Sequence, residues 1–177
     1  MIAILADSHD NLANLKEFLA QAKKNKVDVI IHCGDVTTPE FLEQLIKNFN
    51  GQIKLVLGNA EIRPEEFKKN TKNYLNLEIF EEVGLYESIA KINDEGREFA
   101  KKFKIAFTHK PEKAKQLAIN GEYNFVFYGH THKPWFAIEK KSVVVANPGT
   151  LGGVFSEPTY ALLDPDSGKL ELKKLFV

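Results

Sequence analysis

Residues 1–12, MIAILADSHDNL, decide the fold. An uninterrupted apolar run over residues 2–6 stops at Asp7, a pattern typical of a strand that is buried on both faces. Past the polar loop, apolar side chains return at the spacing of an amphipathic helix: Leu12, Leu15, Phe18, Leu19 and Ala22. Asp10 or Asn11 can cap that helix. The segment therefore predicts a strand, a polar loop and a helix.

The same unit recurs downstream. Residues 27–32 predict a second strand, and Pro39 opens a second helix. A third strand is predicted over residues 53–57, and it ends at Gly58-Asn59. Successive βα-type units favour a parallel sheet, in which the carboxyl ends of the strands meet at one edge. Loop residues at those ends should therefore lie close together.

The rest of the chain changes character after Pro134. Before it, the pattern predicts strands within residues 74–93, a strand over 104–107, a helix over 111–120 and a strand over 125–128. After it, short strands joined by tight turns are predicted over 135–139, 142–146, 159–163 and 169–176. We interpret this last part as a meander added to one domain that spans residues 1–177, a length that suits a single core.

The composition limits which binding partners and which cellular compartment are expected. Lys plus Arg and Asp plus Glu both total 24, so no global field attracts nucleic acid or an anionic membrane. Nucleic-acid contact through the Lys-rich stretches near residues 23–26, 68–72 and 101–104 stays open, as does a homo-oligomer. Charges interrupt every apolar run before the roughly 18 residues of a membrane span, so no membrane association is expected. A single cysteine, Cys33, and the lack of a basic apolar leader favour the cytoplasm.

The carboxyl ends of the predicted strands, which should meet at one edge of the sheet, are followed by a carboxylate, an imidazole or a carboxamide. The seven residues are Asp7, His9, Asp35, Asn59, His109, His130 and His132. Carboxylate and imidazole together suit borderline metals such as Mn, Fe, Ni and Zn, and one aspartate can ligate two cations. Any one of these residues could be an ordinary polar loop residue. The complete set of metal-competent groups instead predicts a two-metal site.

The local spacing supports this prediction. In an extended Asp7-x-His9 or His130-x-His132, the first and third side chains project to the same side of the backbone. A glycine precedes Asp35, Asn59 and His130, and the absence of Cβ lets the chain turn and approach an ion.

Other polar and aromatic residues have simpler interpretations. His32 and Cys33 are expected in the core, because the second strand carries them and no partner constellation needs them. Trp135, Phe136 and Phe155 could line a substrate cleft or complete the core, and we favour the core.

Taken in order, these motifs resemble the calcineurin-like metallophosphoesterases: Asp7-x-His9, Gly34-Asp35, Gly58-Asn59, Thr108-His109, Gly129-His130-x-His132 and Asn147-Pro148-Gly149. Within that superfamily the chain is similar to the small single-domain prokaryotic phosphodiesterases. The resemblance implies an α/β fold, a sandwich of two β-sheets flanked by helices. It also implies a small phosphate-ester substrate, most simply a phosphodiester.

The resemblance further implies roles for individual residues. Asp7, His9, Asp35 and His132 would hold one divalent cation, and Asp35, Asn59, His109 and His130 the other, with manganese expected first and Ni, Fe, Zn or Mg as alternatives. Asp35, Asn59 and His109 would be catalytic, and Asn59 would also bind substrate. A hydroxide bridging the two cations would be the nucleophile.

One position departs from many relatives. Ala60 stands where they carry a histidine that can assist the leaving group, so monoester cleavage should be the weaker activity. The alternative function is a catalytically weak binding scaffold of the same fold, like the retromer subunit related to this family.

Overall fold

The computed structural model describes residues 1–70, 73–94 and 97–175. The first half of the chain alternates strands and helices. The strands are β1 (Ile2–Leu5), β2 (Val29–His32), β3 (Gln52–Val56) and β4 (Leu77–Phe80), and the helices are α1 (Leu12–Lys24), α2 (Pro39–Asn48) and α3 (Pro64–Asn70). These four strands are parallel in the order in which they occur. The predicted parallel sheet is confirmed.

The second half builds another sheet and then returns to the first. The elements are β5 (Val83–Asp94), β6 (Arg97–Thr108), α4 (Pro111–Asn120), β7 (Phe125–Phe127), β8 (Trp135–Ile138), a 3₁₀ turn (Lys140–Ser142), β9 (Val144–Asn147), β10 (Thr159–Leu163) and β11 (Leu170–Lys174). In the described residues the sheets have the orders β11-β10-β1-β2-β3-β4 and β5-β6-β7-β9-β8, and both mix parallel with antiparallel pairs. This is the expected α/β sandwich.

Alternation along β1 explains the layers. Ile2 and Ile4 belong to the core between the two sheets, whereas Ala3 and Leu5 face the core under α1 and α2. A third cluster, including Ala114, packs α4 on the outer face of the second sheet. Helix, sheet, sheet and helix therefore stack in that order, and β1 is buried on both faces as predicted.

Local chemistry sets the helix starts. The Asn11 side chain accepts a hydrogen bond from the Asn14 backbone N–H at the start of α1. At α2, Thr38 caps in the same way, and Pro39 occupies the first turn. Asp10 does not cap α1, because its carboxylate accepts from the Thr38 backbone N–H and hydroxyl at 3.1 and 2.9 Å. Asp10 thus ties two loops at the same sheet edge.

Some predicted boundaries were wrong. The C-terminal third is not one meander: β8 and β9 complete the second sheet, while β10 inserts beside β1 in the first. Helix α3 had not been predicted, and β6 begins at Arg97 rather than near residue 104. The strands predicted within residues 74–93 are confirmed as β4 and β5. The predicted final strand extended to residue 176, which lies outside the described residues.

The expected core positions of three aromatic residues were also wrong. Trp135 and Phe136 are 45% and 55% exposed, because β8 is the edge strand of its sheet. Phe155 is 96% exposed on the loop after β9. Apolar character alone does not tell an edge or a loop from a core.

Among the helices of the described residues, none has the length and apolar character needed to cross a bilayer.

Candidate metal centre

Loops at the carboxyl ends of five strands, drawn from both sheets, carry the seven predicted residues. Asp7 and His9 follow β1, Asp35 follows β2 and Asn59 follows β3; His109 follows β6, and His130 and His132 follow β7. Hydrogen bonds and close ring contacts link all seven into one cluster. The predicted convergence is therefore observed.

The backbone achieves this convergence differently from the sequence expectation. Asp7, His9, His130 and His132 all have left-handed φ angles, of 50°, 42°, 71° and 59°. Neither Asp-x-His nor His-x-His is an extended segment, so the period-two argument was wrong in its geometry, although the first and third side chains of each segment still reach the cluster. Residues other than glycine adopt such angles at a free-energy cost, which neighbouring structure must offset.

One group of side chains has the composition of a cation site. Asp7, His9, Asp35 and His132 each offer one ligand atom, and these atoms lie within 4.8 Å of one another. The Nε2 atoms of His9 and His132 are 3.2 Å apart, and Asp7 Oδ1 lies 3.4 Å from His132 Nε2. His132 Nδ1 donates to the Val154 carbonyl at 3.0 Å, which leaves an Nε2 lone pair directed into the group when the ring is neutral.

A second group lies on the other side of Asp35. His109 Nδ1 donates to the Cys33 carbonyl at 2.9 Å, so the Nε2 lone pair of the neutral ring faces inward. That nitrogen lies 2.9 Å from Asn59 Oδ1 and 3.2 Å from His130 Nδ1. His109 Nε2, Asn59 Oδ1 and His130 Nδ1 are thus close together, and few hydrogen-bond donors lie between these acceptor atoms. A divalent cation fits such a donor set.

Asp35 stands between the two groups. Its Oδ1 lies 3.4 Å from His109 Nε2, and its Oδ2 lies 3.9 Å from His9 Nε2. The backbone N–H groups of Asn59 and Ala60 both donate to Oδ1, at 2.8 and 2.9 Å, and fix the carboxylate. One oxygen therefore faces each histidine group.

The electrostatics of the centre suit a bound cation. Burial and the neighbouring Asp35 carboxylate raise the pKa of Asp7 to about 8. Burial lowers the pKa of His9 and His109, so both rings are neutral near pH 7 and can act as ligands. A bound cation would favour the ionised form of the Asp7 carboxyl group and would be coordinated by the lone pairs of the neutral histidine rings.

The glycine before Asn59 is required by close packing. A Cβ on Gly58 would lie 2.1 Å from Asp35 Oδ1 and 2.6 Å from the Asp35 backbone nitrogen. Any larger residue would push the carboxylate away from the position that the backbone bonds define.

Sequence reasoning missed the residues that hold the loops. The Glu61 carboxylate accepts from the backbone N–H groups of Gly58 and Val36, at 2.7 and 3.0 Å, and so joins the loops that carry Asn59 and Asp35. The sequence feature that could have indicated this role is a carboxylate two residues beyond Asn59. The Asn147 side chain donates to the Gly129 carbonyl at 2.8 Å and supports the loop of His130.

The residues assigned to the core behave as predicted. His32 and Cys33 are buried, and burial lowers the pKa of His32 to about 3 and raises that of the Cys33 thiol. His32 Nε2 lies 3.1 Å from the Ser8 hydroxyl, behind the centre. Neither side chain joins the cluster of acceptors.

Two sheets flanked by helices, with a histidine and carboxylate centre at the strand ends, define the class. Residues 1–168 match the calcineurin-like phosphoesterase superfamily domain, and the chain belongs to this superfamily. The curated phosphodiesterase MJ0936 of Methanocaldococcus jannaschii is 30% identical over 166 residues, which cover 93% of each chain.

Solved structures agree in fold. An archaeal phosphodiesterase superposes with a TM-score of 0.78 at 25% identity, covering 98% of this chain and 99% of the other. Vacuolar protein sorting 29 of Cryptosporidium parvum has a TM-score of 0.62 at 19% identity, covering 97% and 94%. The second likeness concerns the fold alone.

Proposed function

We propose that this chain is a metal-dependent phosphodiesterase with two divalent cations in one centre. Asp7, His9, Asp35 and His132 hold one cation, and Asp35, Asn59, His109 and His130 hold the other. The observation that carries the proposal is the placement of the Asp35 carboxylate, with one oxygen toward each histidine group. The 30% identity to a curated phosphodiesterase supports the choice of diester over monoester.

Bound divalent cations would supply a water activated near neutral pH and positive charge opposite the phosphoryl oxygens. Asp35 would bridge the two cations, and two backbone N–H groups hold its carboxylate in position. His109 stays neutral and keeps its Nε2 aimed inward through the bond to Cys33. Asn59 is exposed, and its amide nitrogen can donate to a phosphoryl oxygen while Oδ1 faces the centre.

Manganese is the first candidate for the cation. Ni, Fe, Zn and Mg are alternatives, because a mixed set of carboxylate and imidazole ligands accepts all of them. The test is a hydrolysis screen of bis(p-nitrophenyl) phosphate and p-nitrophenyl phosphate with chelator-stripped protein and each metal in turn. We expect metal-dependent turnover that is faster on the diester. Turnover that persists in chelator, or none with any metal, would contradict the proposal.

A binding scaffold is the second candidate. On the edge strand β8, Phe136 and Ile138 are 55% and 71% exposed and lie on the same face of the strand, and neighbouring exposed apolar side chains of this kind can mark a protein contact. The same screen separates the two functions. A scaffold would bind metal without turning over either ester.

A further inference from the structure

Phe155 lies at the rim of the metal centre and is almost fully exposed. Its side chain is 96% exposed, and its ring centroid is 5.6 Å from that of His132, at an interplanar angle of 36°. No hydrophobic burial explains its presence there.

The backbone of Phe155 adds a second anomaly. Its φ angle is 62°, in the left-handed region that disfavours a residue with a Cβ and a bulky side chain. Strained positions of this kind cluster at functional sites. Glycine would be the less strained choice, so neither packing nor conformation accounts for phenylalanine.

Hydrogen bonds hold the loop that carries this ring. The Val154 carbonyl accepts from His132 Nδ1 at 3.0 Å, and the Ser156 hydroxyl donates to the His132 carbonyl at 2.6 Å. Both chain neighbours of Phe155 are therefore bonded to His132. These bonds fix the backbone of Phe155 at the rim, so the ring stays within one side chain's reach of the centre.

We propose that Phe155 is a stacking platform for a flat aromatic group esterified to the substrate phosphate, such as a nucleobase-bearing or aryl group. The proposal rests on the proposed function, which places the phosphate beside His132. The exposed Phe155 ring, 5.6 Å from the His132 ring, is then available to a substituent that extends from the phosphate toward the rim. Stacking on an exposed aromatic side chain tolerates any flat π-system, so the class is aromatic rather than one named base.

The test measures binding rather than turnover. Calorimetry on the manganese-loaded protein compares phenyl phosphate with methyl phosphate, which differ only in the group that would stack. We expect the wild type to bind phenyl phosphate about tenfold more tightly. Phe155→Ala should abolish this preference, Phe155→Trp should keep it, and the matched control Phe136→Ala, another exposed phenylalanine, should leave it unchanged.

Two results would overturn the proposal. One is a wild type that shows no preference for the phenyl ester, including a wild type that binds neither ester. The other is a preference that survives in Phe155→Ala. The proposed function fails separately, through absence of diester turnover with every metal. As a check on folding, Phe155→Gly should melt no lower than the wild type, because glycine relieves the left-handed φ.

Discussion

The two sides of the metal centre differ in their access to water. In the first group Asp7, Asp35 and His132 are 0%, 3% and 8% exposed and His9 is partly exposed. In the second group His109 is 3% exposed, whereas Asn59 and His130 are exposed to solvent. The buried side is fixed by backbone hydrogen bonds and carries the electrostatic cost of closely placed carboxylates. From this difference we expect the buried side to control metal retention and the exposed side to control which ester is cleaved.

The largest effect should come from the residue that joins the two groups. Asp35→Asn keeps the size of the side chain but removes the charge shared by both cation positions. We expect diester turnover to fall by a factor on the order of 10³ or more, with loss of bound metal measured by plasma mass spectrometry. The matched control is Asp10→Asn, since that carboxylate lies in the loop after β1 but bonds to Thr38. Equal losses in both variants would contradict the account.

Two histidines provide the sharpest comparison of the sides. His132→Ala removes a buried ring and its bond to the Val154 carbonyl, whereas His130→Ala removes an exposed ring. We expect each variant to lose about 100-fold in manganese affinity. Only His132→Ala should also lower the melting temperature of the stripped protein, by several degrees. Similar melting temperatures for the two variants would remove the distinction between the sides.

The buried side should also give metal-free protein an unusual pH dependence. A carboxyl group whose native pKa is raised holds its proton longer in the folded state, so its contribution to stability is lost as the pH rises through that native pKa. With Asp7 at about 8 and unfolded aspartate near 3.8, the Asp7 contribution to stability should fall from about pH 4 to about pH 8 and level off above it. The part from about pH 7 to about pH 8 is the useful range for the test. The buried histidines, whose pKa values are lowered, are mostly neutral in both states there.

The measurement is the melting temperature of chelator-stripped protein across that range. Saturating manganese should restore more stability at the alkaline end, because the cation offsets the ionised carboxylate. Asp7→Asn should flatten the metal-free profile. A profile that is equally steep in Asp7→Asn would assign the effect to another group.

The smallest effect concerns the exposed side. Ala60 is partly exposed, and only its backbone N–H reaches the centre, at Asp35 Oδ1. Ala60→His would add a proton donor where the leaving group departs, so monoester turnover should rise several-fold more than diester turnover. The ratio of the two rates measures this. An unchanged ratio would mean that the leaving group departs elsewhere.

The sequence predicted the parts of the molecule that local patterns control. The apolar runs before Asp7 and Asp35 predict buried strands, and parallel strands must bring their carboxyl ends together. The division of β8–β11 between two sheets depends on contacts distant in sequence, which no local pattern contains. Phe155 was misplaced for the same reason, since exposure depends on the final surface. The single domain over residues 1–177 stays a prediction.

The local geometry of the site was the other limit. Spacing alone predicted that Asp7 and His9 act together, but the left-handed angles that bring this about depend on the bonds of each loop to its neighbours, such as Asp7 N–H to the Gly34 carbonyl at 3.0 Å. The loop-joining role of Glu61 was invisible for the same reason.

A crystal structure of the manganese-loaded protein, with an anomalous difference map collected near the manganese edge, tests the central claim most directly. The account predicts two peaks about 3.5 to 4 Å apart, one on each side of the Asp35 carboxylate. A single peak, or peaks away from Asp35, would contradict it.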